Sequence, residues 1–204
     1  MLRAAVTHLK RADPTLARVI ARVGPCRFET HRDSTHFDAV VRAIVYQQLS
    51  GKAAATIHSR VRDVFGGRDP APPELLAAPD ETLRAAGLSR QKLGYLRDLA
   101  TRVHSGEVPL DRLDDLPDEE VLAALVRVKG VGRWTGQMFL MFRLGRLDVL
   151  PELDLGVQRG IQLAYGLPAL PSPKEVLRRG EPWAPYRTIA SWYLWRSLEG
   201  EAAL

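Results

Sequence analysis

Leu125-Val126-Arg127-Val128-Lys129-Gly130-Val131-Gly132-Arg133-Trp134-Thr135 lies between two apolar helical stretches, and the rest of the chain is read from it. Two glycines one residue apart let the backbone take positive φ and come close to another surface. Gly132 also precedes a new helix, whose first N–H groups have no partner within that helix. Such an end is a natural seat for a phosphate, and Lys129 and Arg133 add positive charge beside it. A Gly-Val-Gly turn alone is most often a tight connector. Its meaning comes from its flanks.

The flanks are helical on both sides. Upstream, Pro117-Asp118-Glu119-Glu120 is a strong helix start, with acidic residues at the positive end of the dipole. That helix carries Val121, Leu122, Leu125 and Val126 into the turn. Downstream a helix is expected from about Trp134 to Leu144, then a turn at Gly145, an extended stretch through Val149-Leu150-Pro151, and a helix opening after Asp154. Earlier, Asp13-Pro14 is expected to open the first helix, Asp as cap and Pro at the first helical position. Phe37, Val40, Val41, Ile44 and Val45 form one buried helix face, and Ala54, Ile57, Val61, Val64 and Phe65 repeat it after Ser50-Gly51 until Gly66-Gly67. Pro70 to Pro73 reads as a turn, Pro79-Asp80 as the start of a short helix, and Ser89 as the cap of a helix with Leu93, Leu96, Leu99, Ala100 and Val103 in its stripe. The last helix begins near Pro185 and carries Tyr186, Trp192, Tyr193 and Trp195; the two tryptophans read as core. With no strand ladder, repeat or linker, the fold class is all-α with about ten helices, read as a single domain over residues 1–204.

Composition narrows the class without naming it. The 204 residues are 46% hydrophobic, which excludes a disordered chain and allows a substantial core. No stretch approaches the roughly eighteen apolar residues of a membrane span, and the N-terminal charges are spaced too closely for a signal peptide. The single cysteine, Cys26, excludes an internal disulfide, a four-thiolate cluster and a zinc finger, so the expected location is the cytoplasm. A formal net charge of +5, carried mostly by arginine, permits a polyanionic partner but does not demonstrate one.

The stretch from Leu125 to Thr135, with the loop Val149-Leu150-Pro151-Glu152-Leu153-Asp154-Leu155-Gly156, resembles the helix-hairpin-helix and Gly/Pro-Asp loop of the HhH-GPD DNA glycosylase superfamily. Phe37 through Ala55 resembles the family's early helix pair with a Gln-Gln loop. Gly87-Leu88-Ser89 with Lys92 and Tyr95-Leu96 resembles its Gly-Leu-Ser segment, and Glu181 through Arg187 the approach to its final helix. The matches run in order over most of the chain, nearest to the alkylation-repair branch, 3-methyladenine DNA glycosylase II. The resemblance implies two lobes flanking a cleft, one over residues 36–144 and one of residues 1–35 packed with 145–204. Larger members of that branch carry an extra N-terminal domain for which this chain leaves no room.

Further implications attach to single residues. The hairpin, Lys129, Gly130, Val131, Gly132 and Arg133, is expected to hold a DNA phosphate through backbone amides without reading sequence. The carbonyls of Val126, Val128 and Val131 are expected to hold a monovalent cation, sodium or potassium. No cofactor is otherwise required, and no iron–sulfur cluster is expected. Gln48 falls where the family wedges into the stack vacated by the flipped base; relatives often carry a bulkier apolar residue there. Asp154 is the catalytic candidate: cleaving an N-glycosidic bond builds positive charge on the sugar, and a carboxylate there stabilises it and orients water. Its place at a helix start lets it accept backbone N–H bonds. Glu152 is a weaker candidate by alignment, and Asp148 reads as structural. Trp134 and Trp183, with Tyr46 beside them, match positions lining the base pocket, where an indole attracts a cationic alkylated ring. Family members that also nick the strand carry lysine where this chain has Trp134.

The expectation is therefore a monofunctional glycosylase in base excision repair. It would flip out alkylated purines such as 3-methyladenine and 7-methylguanine from double-stranded DNA, acting as a monomer associated with the nucleoid. The competing readings are a glycosylase for deaminated or oxidised bases, and a DNA-binding relative without catalysis. Asp154→Asn separates the last from the others.

Overall fold

The computed structural model describes residues 1–199 and is helical throughout, with no strand among them. Twelve α-helices occur in the described residues: α1 (Leu2–Ala12), α2 (Pro14–Val23), α3 (His36–Tyr46), α4 (Gly51–Asp63), α5 (Pro72–Ala77), α6 (Asp80–Ala85), α7 (Arg90–His104), α8 (Asp118–Leu125), α9 (Arg133–Met138), α10 (Leu155–Tyr165), α11 (Pro173–Gly180) and α12 (Arg187–Leu198). Short 3₁₀ turns cover Leu110–Arg112 and Glu181–Trp183. Phe139–Leu144 winds as a π-helix, so the single helix expected over 134–144 is an α segment followed by a wider one.

The caps explain most boundaries. Asp13, Ser50, Ser89 and Asp154 each accept a backbone N–H from the first turn of the helix that follows. Asp13 does not open the first helix, however: α1 precedes it, burying Ala5 and Leu9 one turn apart. Nor is Pro70 to Pro73 only a turn. Pro72 and Pro73 occupy the first positions of α5, where proline's missing N–H costs nothing.

Two compact units emerge among the described residues, 31–139 and 1–30 with 140–199. In the first, α3 packs on α4 and α7, α5 lies along α7, and α8 meets α9 across the hairpin. Its core includes Val41, Ile44, Leu75, Leu96, Leu99 and Leu125, each almost fully enclosed. The second unit is arranged around α12, which is buried on every side through Ile189, Ala190, Trp192, Tyr193 and Leu194 and meets α1, α2 and α10. A helix apolar all round belongs inside a unit.

Candidate DNA-binding and catalytic residues

The hairpin closes with the Val131 N–H bonded to the Val128 carbonyl at 3.0 Å and Gly130 at φ +80°. Glycine is required there twice over. The φ is left-handed, and a Cβ would lie 2.2 Å from a ring carbon of Tyr95. Beside it the Lys129 N–H donates to Asp98 Oδ2 at 2.9 Å, and the Gln47 side chain donates to the Gly130 carbonyl at 2.8 Å. Val128 and Val131 are buried as anchors, while Lys129, Gly130, Gly132 and Arg133 face solvent. The Arg133 guanidinium pairs with Glu119 at 3.2 and 3.3 Å. Its charge is therefore partly spent within the protein.

The early helix pair places Gln48 at an exposed turn between α3 and α4, with φ +55°. It is the one non-glycine residue with positive φ among those described, a conformation that costs energy and persists only where neighbours enforce it. Gln47 joins this turn to the hairpin, so Gln48 and the phosphate-binding candidates are brought together in one unit. Tyr46, half-buried, lies at the base of the same turn. The Arg42 guanidinium sits 4.3 Å over its ring, and His58 meets its edge at 6.3 Å. Trp134, on α9, is 44% exposed.

In the other unit, Asp154 caps α10. Its Oδ1 accepts the Val157 N–H at 2.8 Å and the indole N–H of Trp195 at 2.7 Å. Trp195 stacks on Phe142 with ring centres 5.9 Å apart, which sets the indole plane. Gly156 makes the approach feasible: a Cβ there would lie 2.7 Å from Trp195 Cδ1 and 3.0 Å from Asp154 Oδ1. The loop carrying Asp154 is tied down by Asp148, which pairs with Arg187 at 2.7 Å through each oxygen, and by Thr188, whose hydroxyl accepts the Val149 N–H at 3.0 Å. The Glu152 carbonyl accepts from the Gln158 side chain at 2.9 Å, completing the turn.

Trp183 departs from expectation. It has no exposed surface, and its indole N–H donates to Asp13 Oδ2 at 2.8 Å. The same oxygen accepts the Tyr165 hydroxyl, while Asp13 Oδ1 caps α2. Burial by itself pushes the Asp13 carboxyl up, but these donors outweigh it and hold it below its ordinary value. An enclosed indole locked to a half-buried carboxylate has no face to offer a base. Trp183 is a core residue, and the aromatic that meets the catalytic candidate is Trp195, which sequence reasoning had placed in the core. The available signal was Gly156, a glycine in the first turn of a helix, which marks a close approach.

No group of three or more His, Cys, Asp or Glu side chains that could hold a metal occurs among the described residues. Three hairpin carbonyls, those of Val126, Val128 and Val131, remain the candidate cation ligands. Hard oxygen donors suit a hard cation, and the Val128 oxygen also accepts the Val131 N–H.

Residues 41–185 match the family described as HhH-GPD superfamily base excision DNA repair protein. The chain belongs to the HhH-GPD superfamily. It is 35% identical over 199 residues to DNA-3-methyladenine glycosylase 1 of Schizosaccharomyces pombe, across 96% of this chain and 87% of that one. It is similar in structure to an S. pombe 3-methyladenine DNA glycosylase in complex with abasic DNA, with a TM-score of 0.84 and 34% identity over 96% of this chain and 97% of that one. A DNA-3-methyladenine glycosidase from Bacillus halodurans gives a TM-score of 0.88 and 38% identity over 98% and 91%. This HhH-GPD protein is thus a DNA glycosylase of the alkylation-repair branch.

Proposed function

We propose that this DNA glycosylase flips alkylated purines, such as 3-methyladenine and 7-methylguanine, out of duplex DNA and hydrolyses their N-glycosidic bond, with Asp154 as the catalytic carboxylate. The observation that carries this is the double clamp on Asp154 Oδ1 by the Val157 amide and the Trp195 indole. It fixes the plane of a carboxylate whose task is to face developing positive charge on the sugar. The base departs with the bonding electron pair, water adds at the anomeric carbon, and the proton it sheds passes to the Asp154 carboxylate and on to solvent.

Alkylation at a ring nitrogen makes the purine cationic and a good leaving group, so the reaction needs no strong general acid. Trp134 supplies an electron-rich face for that cation. As tryptophan, it has no amine for Schiff-base attack on the sugar, so the strand is left intact. Gln48 fills the gap left by the flipped base. The amides near Gly130, Gly132 and Arg133, with Lys129, hold the phosphate beyond the lesion, and the carbonyls of Val126, Val128 and Val131 would hold a sodium or potassium ion that adds positive charge there. The partner is double-stranded DNA bearing a damaged base, bound by a monomer in the nucleoid-associated cytoplasm. No helix of the described residues is long and apolar enough to cross a membrane, in keeping with this.

Chromatography of bases released from methylated duplex DNA by the wild type and Asp154→Asn tests the reading. Release of methylated purines by the wild type and its loss in the variant support it. Release of only hypoxanthine or 8-oxoguanine from matching substrates, or salt-dependent binding with no release, overturns it.

A further inference from the structure

The Gly-Leu-Ser segment contributes no group to the chemistry above, yet α7, which it opens, sends three side chains to the candidate DNA-binding loops. Lys92, Tyr95 and Asp98 follow one another at three-residue steps, on one face of α7. Asp98 takes the Lys129 N–H, and the Tyr95 ring lies where a side chain on Gly130 would be. Lys92 turns instead to the Gln48 loop. Its ammonium donates to the carbonyls of Val45 and Gln47, each at 2.7 Å.

Those two carbonyls sit at the C-terminal end of α3, where backbone acceptors lack helical partners and the dipole is negative. A cation across them closes the helix and fixes the peptide entering Gln48, the residue at φ +55°. Withdrawal from water pushes the Lys92 ammonium below its ordinary value, so the carbonyls must replace much of its lost hydration. Gln47 then links the same loop to the Gly130 carbonyl.

We propose that Lys92 is a positioning residue for the wedge: it locks the Gln47–Ser50 loop in the strained conformation that presents Gln48, and Gln47 joins that loop to the hairpin, so that the phosphate grip and the wedge act as one rigid piece. This rests on Gln48 being the wedge. The interaction is specific to a long cationic side chain with several N–H donors, so arginine should partly replace it and methionine should not.

The test uses Lys92→Met, Lys92→Arg and Gln47→Met, with Gln48→Ala as reference. Each binds a duplex in which an abasic analogue stands opposite 2-aminopurine, whose fluorescence reports entry of the wedge into the gap. The wild type is expected to change that fluorescence at saturation. Gln48→Ala and Lys92→Met should lose most of the change, Lys92→Arg should recover part of it, and Gln47→Met should fall between. On 7-methylguanine paired with cytosine, Lys92→Met should slow release about tenfold, the scale of hydrogen bonds to a charged group. With the lesion opposite the abasic analogue, where no partner base holds it, the loss should be much smaller. A full fluorescence change in Lys92→Met, or equal slowing on both substrates, overturns the proposal. So does a Gln48→Ala signal matching the wild type, since the loop would then hold no wedge. If Lys92→Met does not fold, Gln47→Met decides on the same readouts. A wild type that releases no 7-methylguanine refutes the substrate reading alone, because the fluorescence arm needs no base excision.

Discussion

The two units hold their functional residues by different means. In residues 31–139 the candidate DNA-binding loops are tied by side chains that grip backbone atoms: Lys92 on two carbonyls, Gln47 on Gly130, Asp98 on the Lys129 amide. In the other unit the catalytic candidate is held by an aromatic side chain, Trp195, brought onto Asp154 by packing against Phe142. In the first arrangement the groups held are peptide carbonyls and an amide, close to the gripping residues. The second depends on the shape of a core. The proposed grip on DNA therefore rests on short motifs, whereas the alignment of the candidate carboxylate depends on the packing of its unit.

The sharpest way to break this contrast is Asp154→Asn, which should lower single-turnover base release by about 10²–10³-fold, the scale for losing a preorganised electrostatic partner, with DNA affinity retained. An asparagine variant as fast as the wild type would remove the chemistry from this unit altogether. Next is Trp195→Phe, which keeps the stacking on Phe142 and deletes only the indole N–H. It should reduce kcat about tenfold with little change in KM. Gly156→Ala, through the crowding of Trp195, should give the same split; divergent behaviour of the two variants would show that the indole does not act through Asp154.

Trp183→Phe should do the reverse. It leaves Asp13 short of a donor and should cost about 1–3 kcal/mol of stability, seen as a lower Tm, with release per folded molecule unchanged. Reduced kcat at full stability would return Trp183 to the base site. The smallest effect concerns Asp98. Burial by itself pushes its carboxyl up, but the Arg102 guanidinium and the Lys129 N–H outweigh it and hold it below its ordinary value. A carboxylate depressed in the folded state adds stability above its unfolded pKa of roughly 4 and loses it as pH falls through the folded value. Thermal melting between pH 5 and pH 3 should therefore show a shallower acid decline in Asp98→Asn than in the wild type. Identical slopes would show that the carboxylate's charge does not stabilise the hairpin.

Much of this division was legible in advance. Asp13, Ser50, Ser89 and Asp154 cap helices because a short polar side chain satisfies N–H groups only a few residues away. The α3 and α7 stripes follow from helical period alone. The helix before Asp13 opens without a side-chain cap to mark it, and the prolines that open α5 resemble a turn.

The sequence by itself determined the all-helical class, the hairpin with its two glycines, and an aspartate at a helix start in the loop that follows. All of these rest on interactions between residues near in the chain, which spacing records. Only the tertiary structure decided between the tryptophans. Trp183 and Trp195 have the same chemistry in similarly aromatic surroundings, yet one indole is sealed against Asp13, far away in sequence, and the other reaches Asp154 because Gly156 leaves it room. Which carboxylate an indole meets depends on how α2, α10 and α12 pack together, and no local pattern carries that information. The same holds for the hairpin: its glycines are written in the chain, but the side chains of α7 that brace it are known only once α7 is folded beneath it.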